Sequence, residues 1–391
     1  MIIYLYPNKL TNFFYFREEI NLLQTKTNFE VEIHDLSFFV NKNLNKVFKT
    51  KEKKAKNIKK FKSLTSWKAY LDNLLKKKRI TIINYINFDS FNGILVNYYL
   101  LKKNIKMIKY FSPGGFDIYY HKENKLNLEK VLKNILNFNK LLIYLKSKIY
   151  EQALKKFHFK KNYILYSGKE KINPFPQQND KYYPFHTYDY SKFLIYNSKK
   201  KNSNLIVFID SAFPYSISDF NLTGDNAYVD VKKWYNGLNN LLNFLAKKYS
   251  SKILIIPHHK LKGIRNPHYS KKFKIAHEID APVKYISKSK MVVACSCSTA
   301  ISYAVANNKK LLLAYNNDLK KNYYTSYREI LQLSKILNSP IINLNNKFTN
   351  ITFRQNKKNY EKYKYNYLTS KKISKLMNYK IISSIHDKKD F

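Results

Sequence analysis

Acidic residues are scarce: 26 Asp plus Glu stand against 72 Lys plus Arg, a formal net charge of +46. Long-range electrostatics draw such a chain toward polyanions, whether nucleic acid, anionic lipid or phosphorylated sugars. Nucleic-acid signatures are missing, however. There is no zinc-finger spacing, no aromatic RNP strand and no helix-turn-helix pattern, so no nucleic-acid partner is expected. Cysteine is almost absent: Cys295 and Cys297 both lie in VVACSCSTA. Residues i and i+2 of a strand point to opposite faces, which argues against a disulfide between them. The pair reads as small buried side chains in a reducing compartment. Glycine numbers only seven, and the Gly-rich spacings of a P-loop or a dinucleotide fingerprint do not occur. No uncharged run approaches the roughly 18 residues of a membrane span. The start MIIYLYPNK has no basic n-region, so it does not read as a signal peptide.

What is present suffices for two cores. The chain has 391 residues, is 45% hydrophobic and carries 35 Tyr and 26 Phe, which excludes a disordered polymer. Abundant Lys, Asn, Ile, Tyr and Phe match the codon usage of an A+T-rich genome. Basic residues are spread along the whole chain. The densest runs, KTKEKKAKNIKKFK (49–62) and LLKKKR (74–79), read as solvated faces or as contacts to a membrane surface.

Apolar strands alternate with amphipathic helices. MIIYLY, FEVEIHDLS, RITIINYI and IKMIKYF read as strands, with helices in LTNFFYFREEINLLQTKT and SFNGILVNYYLLKKN. Residues 126–158 form a long helical stretch, and KNYILYSG is a further strand. Pro174, Pro176 and Pro184 then mark a linker. A second alternation follows, through NLIVFIDS, the helix VDVKKWYNGLNNLLNFLAKKYS, SKILIIPHH and MVVACSCSTAISYAVANNKKLLLAY. The expected class is α/β: two Rossmann-like doubly wound domains facing a cleft. The expected divisions are an N-terminal domain over 1–172, a linker over 173–203, a C-terminal domain over 204–350 and a basic helical tail over 351–391.

In doubly wound sheets ligands gather at the carboxyl ends of the strands. Three such ends in the second half carry polar chemistry. In FIDSAFPYSISDF (208–220), Asp210 and Ser211 close a strand and Asp219 follows; an Asp there serves as a loop acceptor as readily as a ligand contact. IIPHHKLKG (255–263) ends in His258, His259 and Lys260, with Lys262 beyond. Imidazoles can hydrogen-bond a phosphate or ribose, and lysines add point charge. In VVACSCSTAISYAVANNKK (292–310), Ser298 and Thr299 stand where a helix begins. Their hydroxyls either cap that helix or, with its free N–H groups, hold an anion. No carboxylate or Cys lies at metal spacing from the histidines. In the first half, KYFSPGGFDIYYH (109–121) places the adjacent Gly114 and Gly115 after a strand. They make either a tight turn or a close approach to a ligand. Asp117 and His121 follow, either of which could act as a base, with Asp89 as a second choice.

At these residues the sequence resembles the C-terminal half of GT-B-type transferases, over roughly residues 204–316. It is most like glycosyltransferases encoded with surface-polysaccharide genes, and distantly like bacterial sialyltransferases and polyol-phosphate transferases. His258 matches the His of an A-H-P-R-like element, with His259 at the usual Pro and Lys260 at the Arg. Ser298, Thr299 and Ala304 match an S-T-x-x-x-F-A element, with Tyr303 at the Phe. The acidic D/E-D/E-G motif of sialyltransferases is absent; SPGGFD occupies its neighbourhood. The resemblance implies transfer of a sugar from a nucleotide-sugar to a surface-glycan or lipid-linked acceptor, without metal or other cofactor. It implies donor contacts from Asp210, His258, His259, Lys260, Ser298 and Thr299. The first half matches only in its α/β pattern; there the residues themselves point to an acceptor loop around Gly114, Gly115 and His121, and to Asp117 as base. The expected location is cytoplasmic, peripheral at the inner face of the cell membrane, against anionic lipid. A nucleotide-sugar epimerase or polyol-phosphate transferase on the same scaffold, and a non-enzymatic polyanion binder, are the alternatives.

Overall fold

The structure is a computed structural model, and it describes residues 1–41, 52–87, 90–111, 149, 162–169, 180–196, 203–211, 213–214, 229–258, 266–353, 357–373 and 376–387. These fall into two compact units. One gathers described residues among 1–111, 149, 162–185 and 376–387; the other runs from His186 to Ile373. Each is built on one parallel sheet, as the alternating pattern requires.

The first sheet comprises β1 (Ile2–Tyr6), β2 (Val31–Asp35), β3 (Ile58–Lys60), β4 (Thr81–Asn84), β5 (Lys106–Phe111), β6 (Asn162–Ser167) and β7 (Lys181–Phe185). Its order is β3-β2-β1-β4-β5-β6-β7. The strand order reverses beside β1, the switch point of a doubly wound sheet. β1 and β4 are buried on both faces because helices cover both faces of such a sheet. Helix Leu64–Lys77 starts at Ser63, whose Oγ accepts from the Ser66 N–H, and turns Trp67 and Leu71 inward. Helix Phe91–Lys102 starts at Ser90, whose Oγ accepts from the Gly93 N–H at 3.1 Å. Gly93 is needed there, since a Cβ would lie 2.4 Å from the Asn87 carbonyl oxygen.

Several local details depart from the expected pattern. The helix read over LTNFFYFREEINLLQTKT is two helices, Asn12–Arg17 and Ile20–Lys26. Glu19 breaks it at φ 56°, in the left-handed region. Glu18 beside the break is buried, ion-paired to Arg17 at 3.0 Å and bonded by the Tyr85 hydroxyl. FEVEIHDLS alternates apolar and polar residues, yet all of β2 is buried. Pairing resolves this. The Trp67 indole N–H donates to His34 Nδ1 at 3.2 Å, which leaves the proton on Nε2 to be donated to Glu32 at 3.1 Å. Tyr70 donates to the same carboxylate. Burial pulls the His34 pKa down, against the opposing pull of Glu32. β3 lies inside the charged run 49–62, and β7 inside the stretch read as a linker. Helix Asn378–Asp387 returns to the first unit, where Thr81 bonds His386 at 2.7 Å and Lys106 donates to the Ile385 carbonyl.

The second sheet comprises β8 (Leu205–Ile209), β9 (Lys252–Ile256), β10 (Lys274–Ile275), β11 (Met291–Ala294), β12 (Lys310–Tyr315) and β13 (Ile341–Asn343). Its order, β10-β9-β8-β11-β12-β13, is the same doubly wound order. Helix Val231–Lys248 is capped by Asp230 and buries Trp234, Leu238, Leu241 and Leu245 on one face. Helices Tyr188–Tyr196, Ile301–Ala306 and Lys357–Tyr363 also belong to this unit, and the Tyr360 hydroxyl donates to the Lys309 carbonyl at 3.0 Å. The chain is therefore an α/β protein with two Rossmann-like parallel sheets, the architecture that the resemblance implies.

Candidate functional site

Register sets the geometry of the second sheet's carboxyl edge. Ile209 pairs with Ile256 on one side and Ala294 on the other. The next residues, Asp210, Pro257 and Cys295, therefore form one row across β9, β8 and β11. Asp210 stands in the middle and is buried, and its N–H donates to the Ile256 carbonyl at 3.0 Å. An ionised carboxylate in such a place needs partners. The Tyr269 hydroxyl meets it, and the Tyr269 pKa is driven far up, first by burial and then by the Asp210 charge. The Cys295 thiol is also pushed up, by burial and then by Asp210, which makes it inert rather than nucleophilic.

His258 stands half-buried two residues beyond β9, beside this row. On the other side the chain leaves β11 through half-buried Ser296, Cys297 and Ser298 to exposed Thr299. The capping role expected of Ser298 or Thr299 goes elsewhere. The N-cap of helix Ile301–Ala306 is Ala300, and Ser298 Oγ instead accepts from the Ala300 N–H at 3.3 Å, closing a turn. Asp210, His258, Ser298 and Thr299 thus sit at the carboxyl ends of three adjacent strands. His259, Lys260, Lys262 and Asp219 lie outside the described residues, as do Gly114, Gly115, Asp117, His121 and Asp89. Among the described residues no group of three His, Cys, Asp or Glu side chains could hold a metal ion.

The sequence reading missed the residues that support this edge. Asn266 donates to the Tyr235 hydroxyl at 2.5 Å and accepts from the His268 N–H at 3.0 Å. Asn239 donates to the His268 carbonyl at 2.8 Å, and the His268 ring stacks on Tyr235 with centroids 5.1 Å apart. These bonds pin the segment carrying Tyr269 to helix Val231–Lys248. Asn266–Pro267 is a turn signal, but nothing local in it points to Asp210.

The carboxyl edge of the first sheet was not singled out either. Tyr6, Tyr85 and Tyr110 follow one another from β1 to β5, with centroids 6.0 and 5.8 Å apart. Phe14 covers Tyr6 at 4.0 Å. Asp35, paired with Tyr6 in the register, accepts from the Ser37 N–H at 2.9 Å through Oδ1, while its buried Oδ2 has no hydrogen-bond partner among the described residues. Burial raises its pKa.

No protein-family model matches the chain, and no curated protein matches it. Solved structures with a similar chain course include wall teichoic acid polymerase TagF, at 10% identity and TM-score 0.47 over 100% of this chain and 90% of that one. The UDP-GlcNAc 2-epimerase of Methanocaldococcus jannaschii is 11% identical with TM-score 0.45, covering 98% of each chain. MurG of Acinetobacter baumannii is 9% identical with TM-score 0.40, over 98% of this chain and 93% of that one. Likenesses this distant concern the course of the chain and say nothing of a substrate.

Proposed function

We propose that the protein is a glycosyltransferase that moves a sugar from a nucleotide-sugar to a surface-glycan or lipid-linked acceptor at a membrane surface. One observation carries the reading: Asp210, His258 and Ser298 stand together at the carboxyl ends of adjacent strands in a doubly wound sheet. Glycosyl transfer needs the departing phosphate stabilised and the acceptor hydroxyl relieved of its proton. His258, His259, Lys260, Ser298 and Thr299 have the donors and charge for the first task. Buried Asp210 suits a nucleoside hydroxyl better than a phosphate, since two anions repel. Asp117 is assigned the second task, with Gly114, Gly115 and His121 around the acceptor. No divalent ion is assigned a role, so turnover should survive a chelator.

A thermal-shift screen against CMP-, UDP-, GDP- and CDP-sugars tests this. One donor class should stabilise the protein, and His258→Ala should weaken its binding by about 1–3 kcal/mol, the scale of a hydrogen bond to a charged group. His386→Asn, in the first unit, should leave binding unchanged. Equal effects at the two histidines would remove His258 from the site. Product analysis then separates the rivals: epimerised donor without acceptor, or polyol phosphate transferred in place of sugar, would each replace the glycosyltransferase reading. Binding of every anion alike, all lost in high salt, would mark a mere polyanion binder.

A further inference from the structure

Helix Phe91–Lys102 buries Gly93, Val96, Asn97, Tyr99 and Leu100 against the first unit. Its other side is strongly apolar. Phe91 is 62% and Tyr98 44% exposed, Ile94 and Leu95 are half-buried between them, and Lys102 is exposed at the end. Positions 91, 94, 95, 98 and 102 recur at helical spacing and share one stripe, about 16 Å long at 1.5 Å per residue. Phe38, 51% exposed, belongs to the same neighbourhood. The Asn92 side-chain amide donates to the Phe39 carbonyl at 2.7 Å, tying the helix's first turn to the short helix Ser37–Val40. Phe91 and Tyr98 are therefore partly open to solvent along one helix face, and Phe38 lies near the first turn of the same helix. Clustered exposed apolar side chains mark an interaction surface.

We propose that this face docks on an anionic lipid bilayer, with Phe38, Phe91 and Tyr98 seated at the boundary between headgroups and acyl chains. Charge chooses the occupant. Residues 91–104 contain no acid, and Lys102 closes the stripe, while Lys103 beside it is paired with Asp72. Exposed Lys62 follows Phe61, whose N–H bonds the Asp35 carbonyl two residues before the short helix. A cationic rim around an apolar centre suits lipid phosphates over acyl chains. Ile94 and Leu95 favour lipid over nucleic acid, because bases stack on aromatic rings but not on branched aliphatic groups. The basic runs alone would give adsorption that salt removes. The aromatic face adds a contribution that salt does not screen. The inference rests on the membrane-surface part of the proposed function but not on the transfer chemistry: its failure would show in vesicle binding, and failure of the transfer reading in donor binding and product analysis.

The experiment is sedimentation of the full chain with phosphatidylcholine vesicles containing one-third phosphatidylglycerol, at low and high salt. Each ring removed in Phe38→Ser, Phe91→Ser and Tyr98→Ser should lower partitioning on the order of tenfold, and the high-salt fraction should vanish in the triple variant. Circular dichroism of each variant should match the parent, so that lost partitioning is not lost fold. In a second arm, Phe91→Trp should shift its emission to the blue on the vesicles and be quenched by brominated acyl chains. The endogenous Trp67 and Trp234 are buried and give a constant background. The proposal is overturned if the triple variant partitions like the parent or if the new Trp escapes quenching. It is equally overturned if the three substitutions abolish a lipid-free self-association or RNA binding while vesicle binding persists.

Discussion

The two sheets share a strand order and differ at the carboxyl ends of their strands. The first presents a row of tyrosines, Tyr6, Tyr85 and Tyr110, beside the buried carboxylates of Glu18 and Asp35. The second presents Asp210, His258, Ser298 and Thr299, short or basic groups with little apolar bulk. The central strands of the second sheet are mostly Ile, Leu and Val, as burial on two faces favours, whereas β2, β5, β6 and β7 of the first also carry charged and aromatic residues. The segments leaving the carboxyl ends escape that constraint and can diverge. The difference suggests a division of labour, with an anionic donor held by the second half and a bulkier ligand met by the first.

The largest expected effect tests that division directly. Asp117→Asn, in the first half, should cut turnover by about 10²–10⁴-fold, the scale of losing a general base. Donor affinity, assigned to the second half, should not move. Full activity in this variant would pass the role to Asp89. Loss of donor binding would break the division altogether.

Core substitutions come next. Trp67→Ala and Trp234→Ala remove the largest buried side chains of the two units and should each cost about 3–5 kcal/mol. Trp67→Ala also takes the donor from His34 Nδ1. Calorimetry should show each variant lowering a different transition; identical shifts of a single transition would mean that the units melt as one.

Smaller effects are expected at two helical glycines. A Cβ at Gly93 would meet the Asn87 carbonyl at 2.4 Å, and one at Gly237 the Leu344 carbonyl at 2.7 Å. Gly93→Ala and Gly237→Ala should each destabilise by about 1–3 kcal/mol, although alanine is the better helix former by roughly 1 kcal/mol. Denaturant midpoints that rise would show that the neighbouring backbone gives way.

The smallest effect concerns acid. Burial, with the positive α-amino group nearby, pulls the His386 pKa from 6.5 to about 4. Between those values the unfolded chain holds a proton that the folded chain lacks. Stability is therefore complete above about 6.5 and falls as the pH drops toward about 4. His386→Asn should flatten that slope in urea midpoints measured across the window. An unchanged slope would assign it to another group, His34 first.

Local pattern alone determined the α/β class, the two successive alternations and the polar ends of β8, β9 and β11, because burial writes a periodic signal into each segment. It also pointed to the helix Val231–Lys248, whose apolar residues recur at helical spacing. Tertiary structure alone decided the rest. β3 hides in a lysine-rich run and β7 in a proline-bearing one, since a short strand needs only a neighbour to pair with. Glu32 and His34 read as solvent-facing until Trp67 and Tyr70 arrive from another helix to satisfy them. Asp210 gains its meaning from Tyr269, far along the chain, and Phe91 becomes part of a surface only beside Phe38. In each case the deciding partner is distant in sequence, and only the folded chain brings its charge, hydrogen bond or bulk into contact.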